Sequence, residues 1–239
     1  MEAPLCPRFA RIPRGARTCA FCTMLASRGW VYASKQAAGV THQFHRDCDC
    51  QIVPEWKRGK ITFDGYDPDQ LYDMYARARG QEPGATPSVV AQRMRRLFPM
   101  ALTDGVVERP EGVRPITVRT LNHILEGESD GRGGHSYRRR AVHKKWMADP
   151  ERFGLDGQAL ARLRSKKYFP ADWTDDMIVN SIMLVLQRQP SGSLDGVLLG
   201  KRGKFRVTIS GSTVEVVLTR TKSGLKVITA YPPWEGVSL

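Results

Sequence analysis

The sequence predicts an α+β protein in two parts. Helix-period apolar stripes occupy the middle of the chain, and segments of period two close it. All five cysteines fall within the first 50 of 239 residues. The arrangement expected is a small Cys/His-rich module over residues 1–60, a helical spacer and linker over 61–115, and a larger domain over 116–239. That domain begins helical and ends in an antiparallel β-meander. Lys plus Arg (37) exceeds Asp plus Glu (24), a net charge of +13. With 41% hydrophobic residues the chain can bury a core, which excludes wholesale disorder. No stretch approaches the roughly 18 apolar residues of a membrane span. The opening MEAPLCPRFARIPRGAR lacks the apolar run of a signal peptide, so neither a membrane association nor a classical export signal is expected. The cationic excess points to a polyanionic partner, nucleic acid first, although a solvated positive face gives the same charge.

The first module reads C-A-F-C at Cys19–Cys22 and H-R-D-C-D-C at His45–Cys50. Two thiolates separated by two residues can grip a tetrahedral zinc ion from one tight turn, and the second cluster supplies the other half. The candidates are Cys19, Cys22, His45, Cys48 and Cys50: five donors for four positions, with His42 a sixth. Reduced, unligated thiols are the plainer reading. A zinc here is expected to be structural, holding together a segment too small to build its own core. The string CAFCTMLASRGWVY…HRDCDC…VPEW resembles the Cys-rich tail of phage minor head proteins of the MuF type, over about 45 residues. That resemblance implies a capsid or portal association.

In the spacer, Asp67 suits an N-cap and Pro68 the first helical position. Leu71, Met74, Tyr75 and Ala78 form a stripe that Gly80 ends. VVAQRMRRLF predicts a second helix, and residues 81–90 and 104–115, rich in Gly, Pro and charge, read as connectors.

The larger domain opens on ITVRTLNHILEG, where Ile116, Leu121, Ile124 and Leu125 recur at near-helical spacing and Gly127 is the stop. A Gly-rich loop, GESDGRGGHS, follows. Thr174 caps a strong helix with Ile178, Ile182, Val185 and Leu186 as its buried stripe, and Asp175 and Asp176 suit its positive end. KFRVTIS, TVEVVLT and LKVITAY are three strands joined by turns at Gly211 and at Ser223-Gly224.

His123 and His135 flank the Gly-rich loop, which can fold back and bring both imidazoles to one cleft. A histidine pair titrating near neutrality suits concerted proton transfer. The loop glycines offer backbone N–H groups to an anion, and Arg132 adds charge beside them. A helix-end dipole partner and an ordinary turn are the bland readings. The string LNHILEGE…GRGGHS, then YFPADWTDDMI, then VITAYPP resembles the bacterial branch of the EndoU endoribonucleases, in order, over about 120 residues. The resemblance implies that His123 and His135 are the catalytic histidines and that Thr229 and Tyr231 form the Thr-x-Tyr motif. Relatives elsewhere use a lysine as a third group, for which Lys204 and Arg206 are the best basic candidates here. It implies a metal-independent toxin that cleaves RNA, tRNA among the candidates, to 2′,3′-cyclic phosphate and 5′-OH ends. It also implies an immunity protein, expected from the charge of the enzyme to be acidic, and action in the cytoplasm of a target cell or delivery with a virion.

Residues 132–168 hold 11 Lys or Arg against three acids, with Tyr137, Trp146 and Tyr168 interleaved as stacking platforms. His143, set in this charge run, reads as a surface residue. Two rival functions remain: a phage head protein whose basic domain only grips nucleic acid, and a zinc-dependent hydrolase, whose thiol-rich donors lie far in sequence from the other histidines.

Overall fold

The computed structural model describes residues 6–15, 17–39, 50–56, 63–82 and 84–233. The chain divides into two compact units, Met1–Val106 and Val107–Leu239.

In the first unit, strands β1 (Arg8–Pro13) and β2 (Cys50–Glu55) pair antiparallel, from Arg8 opposite Glu55 to Pro13 opposite Cys50. Between them in sequence lies helix α1 (Ala20–Ala26), followed after β2 by α2 (Pro68–Arg79) and α3 (Pro87–Leu97). Local chemistry sets the helix starts. The Asp67 carboxylate accepts the N–H groups of Asp69 and Gln70, and Thr86 accepts that of Val89 ahead of Pro87. Helix α3 therefore begins inside the stretch read as a connector. The two spacer helices pack on α1, burying Ala20, Met24, Ala78, Val90, Ala91 and Met94 in one cluster.

The second unit runs α4 (Val118–Leu125), α5 (Arg139–Ala148), α6 (Gly157–Arg164) and α7 (Asp175–Gln187), then β3 (Arg202–Ile209), β4 (Ser212–Thr221) and β5 (Gly224–Tyr231). The three strands form an antiparallel sheet in sequence order, the meander expected. Thr174 Oγ accepts the Met177 N–H, and α7 then buries Met177, Ile178, Ile182, Val185 and Leu186 against β3 and β4. Helix α4 packs on β5. Val113, within a stretch read as a connector, is buried where residues 112–114 bond along β5. The basic stretch contains α5 and α6. Among the described residues no helix is long and apolar enough to cross a membrane.

Candidate active site

The site is assembled by the way α4 ends. Thr117 Oγ accepts the Thr120 N–H to start the helix, which leaves carbonyls unpaired at its last turn. The chain turns through the Gly-rich loop and comes back along that turn. The N–H groups of Gly134, His135 and Ser136 donate to the carbonyls of His123, Ile124 and Leu125, at 2.8, 2.8 and 3.4 Å. His135 is thereby fixed beside the helix that carries His123.

Glycine is required for this return. Gly133 has φ +60°, and a Cβ there would stand 1.9 Å from the His123 carbonyl oxygen. Two of the loop amides that the sequence offered to an anion are already engaged. Those of Gly131 and Gly134 are spent on the Glu128 and His123 carbonyls. Arg132 pairs with Asp130 at 3.0 Å on the exposed side of the loop.

The two histidines have opposite surroundings. His123 Nδ1 donates to the Glu128 carboxylate at 3.0 Å. His135 Nδ1 donates to the Lys167 carbonyl at 2.9 Å, and its own carbonyl accepts the Phe169 N–H. A carbonyl can only accept, so the proton sits on Nδ1 and Nε2 carries the lone pair. Burial, reinforced by the Lys166 charge, pushes the His135 imidazole down to about 4, against the opposing hydrogen bond to Lys167. Lys166 Nζ in turn donates to the carbonyls of Gly131, at 2.8 Å, and Gly133, clamping the loop. Burial lowers this ammonium to about 8.

His143 corrects the sequence reading. It is 1% exposed, not at the surface. The basic side chains around it on α5 mask the one position that turns inward, where its Nδ1 meets the Tyr168 hydroxyl at 2.9 Å. Its Cε1 lies 3.0 Å from the place a Gly134 Cβ would occupy, so it is packing beneath the loop. Burial, then Lys166 and Arg139, takes it down to about 4.

The sheet supplies the other wall. Tyr231 on β5 lies against His135, ring centroids 5.4 Å apart and planes inclined by 32°. The register sets Arg206, Glu215 and Tyr231 in one row, and Lys204, Val217 and Thr229 in the next row on that face. Thr229, Tyr231, Lys204 and Arg206 thus share a face, and Tyr231 brings that face to His135. Glu215 was missed. Lone in a Val-rich strand, it offered no sequence signal beyond its place opposite Tyr231 once a hairpin register was known. It is fully buried and accepts hydrogen bonds from Tyr231 Oη and Arg206 Nε, with Lys204 Nζ at 3.7 Å. Burial works against its charge, but these hydrogen bonds and cations outweigh it and hold the carboxyl below its ordinary range. Burial and the same carboxylate push Tyr231 up to about 12.

Much of the basic stretch is already engaged. Arg138 bonds both Glu126 and Asp175, and Arg162 donates to the Asp130 carbonyl. Arg139, Arg140 and Arg152 lie over the rings of Trp146, Tyr137 and Phe153.

In the first unit, Cys19 is the N-cap of α1 and its Sγ accepts the Cys22 N–H at 3.3 Å. Hydrogen bonding to Cys19 and Cys50, followed by burial, drives the Cys22 thiol well above its ordinary value. Among the described residues no group of three or more donors is arranged to hold a metal ion. His42, His45 and Cys48 lie outside the described residues.

Comparison with known families matches residues 117–233 to the family described as Bacterial EndoU nuclease and residues 1–78 to that described as VG15 protein. No curated protein and no solved structure matched the chain.

Proposed function

Taking residues 117–233 as a domain of the bacterial EndoU nuclease type, we propose that the protein is an endoribonuclease toxin that cleaves RNA with a histidine pair. The observation that carries this is the unequal partnering of two adjacent imidazoles. His135 presents an unprotonated Nε2 and stays neutral among cations. It takes the proton of a ribose 2′-OH. The oxygen attacks the neighbouring phosphorus, and the bond to the 5′-oxygen breaks. His123, whose Glu128 partner supplies the counter-charge for an imidazolium, gives the leaving oxygen its proton. The products are a 2′,3′-cyclic phosphate and a 5′-OH end. The nucleophile belongs to the substrate, so DNA is inert and no metal-activated water is needed.

Arg206 and Lys204 bind phosphate along the sheet face, with Arg132 at the loop rim, and Thr229 hydrogen-bonds a base or phosphate. Tyr231 acts through its ring, since its hydroxyl is committed to Glu215. The net charge of +13 suits an acidic immunity protein covering this cleft, with association slowing as salt rises. The toxin would act in the cytoplasm of a target cell. The VG15 match supports a phage-derived first unit, associated with a capsid or portal. In that unit the Cys19/Cys22 pair at the start of the first helix, with Cys50 hydrogen-bonded to Cys22, supports a structural zinc site completed by His45 or Cys48.

Incubating the full chain with total tRNA in EDTA tests the reading. Cleavage leaving cyclic-phosphate ends is expected, together with about one zinc per chain before chelation that Cys22→Ser abolishes. Binding without cleavage would instead make the second unit a nucleic-acid grip, and cleavage abolished by EDTA would overturn the metal-independent reaction.

A further inference from the structure

Strand β4 is apolar at Val214, Val216, Val217 and Leu218, all of them buried, yet Glu215 sits among them with no exposed surface. A buried carboxylate is costly unless it is paired and hydrogen-bonded, and a valine would serve packing better. The two oxygens of Glu215 are divided between two different tasks. Oε1 accepts a hydrogen bond from the Tyr231 hydroxyl, and Oε2 accepts one from the Arg206 Nε–H.

Each bond has a consequence at the surface of the site. Tyr231 cannot swing, so its ring stays tilted against His135. Arg206 is anchored through Nε alone, and among the described residues neither terminal nitrogen has another partner. Its side chain remains 61% exposed, so those nitrogens face outward as a planar fork of the kind that grips phosphate. The cross-strand register makes this one device. Arg206, Glu215 and Tyr231 are direct neighbours on three successive strands, so the carboxylate joins a phosphate-binding edge to the catalytic histidine.

We infer that Glu215 is a positioning residue of the nuclease site, a buried carboxylate that holds the Tyr231 ring against His135 and aims the Arg206 guanidinium at a phosphate of the RNA. The inference rests on the nuclease reading above. It separates two kinetic roles: the Tyr231 arm acts on kcat and the Arg206 arm acts on KM.

The experiment is a mutant cycle on the full chain, with RNA cleavage measured over a range of substrate concentrations and folding checked by circular dichroism. Tyr231→Phe should lower kcat and Arg206→Gln should raise KM. Glu215→Gln should do both, lowering kcat by about 10–100-fold, the scale of a misplaced group. Because Glu215 acts through Tyr231, the double variant Glu215→Gln/Tyr231→Phe should be within about 3-fold of Glu215→Gln in kcat, not the product of the two losses. Wild-type kcat and KM in Glu215→Gln, or multiplicative losses in the double variant, would overturn the inference while leaving the nuclease intact. Should Glu215→Gln not fold, Tyr231→Phe decides, since it removes the same bond and leaves the carboxylate paired with Arg206. Wild-type kcat there overturns the inference. A wild-type protein that does not cleave RNA at all overturns the nuclease reading and this one with it.

Discussion

Replacing Gly133 by alanine tests whether the loop's return onto α4 builds the site. At φ +60° an L-residue pays about 1–2 kcal/mol of backbone strain. The added Cβ would stand 1.9 Å from the His123 carbonyl oxygen, a backbone atom that no rotamer change can move. Relief requires the segment after the loop to lift away. That breaks the Gly134 N–H bond to the same carbonyl, worth about 1 kcal/mol. The total is about 2–3 kcal/mol, and the displacement carries His135 away from His123. A shift of about 1 Å in a catalytic group costs on the order of 10²-fold in rate. Gly154 is the control, because it has nearly the same φ of +61° and nothing within 4 Å of its added Cβ. Gly154→Ala should cost only the strain and leave cleavage unchanged. Urea unfolding followed by circular dichroism, with RNA cleavage on the same preparations, makes the comparison. Equal stability and equal activity in the two variants would refute the role given to the loop.

If His135 is the base, kcat/KM should fall on the acid side only as pH drops through about 4, and an acid limb near 6.5 would put the base elsewhere. Stability should also decline as pH falls from about 6.5 to 4, because the unfolded histidines take up protons that the folded ones refuse. For His143 the drop to about 4 corresponds to about 3 kcal/mol, and His143→Gln should flatten the dependence of melting temperature on pH. Arg138→Glu should destabilise the protein by about 1–2 kcal/mol by setting a carboxylate against Glu126 and Asp175, and leave the salt slope of RNA binding nearly unchanged. Reversal of Lys204 and Arg206 should flatten that slope, which filter binding at several salt concentrations measures.

What could be read in the sequence was whatever acts locally. Asp67 and Thr174 start helices through bonds to residues two or three away, and Pro68 through its fixed φ at the first helical position, so the local sequence located them. Period two exposed the three strands, and the loop glycines flagged the histidine pair. Residues whose meaning depends on distant neighbours were misread or missed. His143 looked exposed because the residues beside it in sequence are basic, and only packing under the loop reveals the inward face of α5. Glu215 is a lone acid in a strand, ordinary until the register sets Arg206 on one side and Tyr231 on the other. The glycines were read for their amides, and the close approach of two backbones that Gly133 allows was not legible.

The two histidines and Tyr231 enter the folded protein at very different moments. His123 and His135 lie on one continuous segment, closed by hydrogen bonds across a short loop, whereas Tyr231 follows 96 residues behind His135. At about 5–20 residues per second, ribosomal synthesis separates them by roughly 5–20 s. Through that interval His135 lacks its aromatic wall, and the sheet face bearing Lys204 and Arg206 is unformed. On the proposed nuclease reading, a nascent chain surrounded by ribosomal RNA therefore carries its histidine pair without the surface that completes the site. The long sequence separation, unfavourable for folding speed, delays competence until β5 has been made.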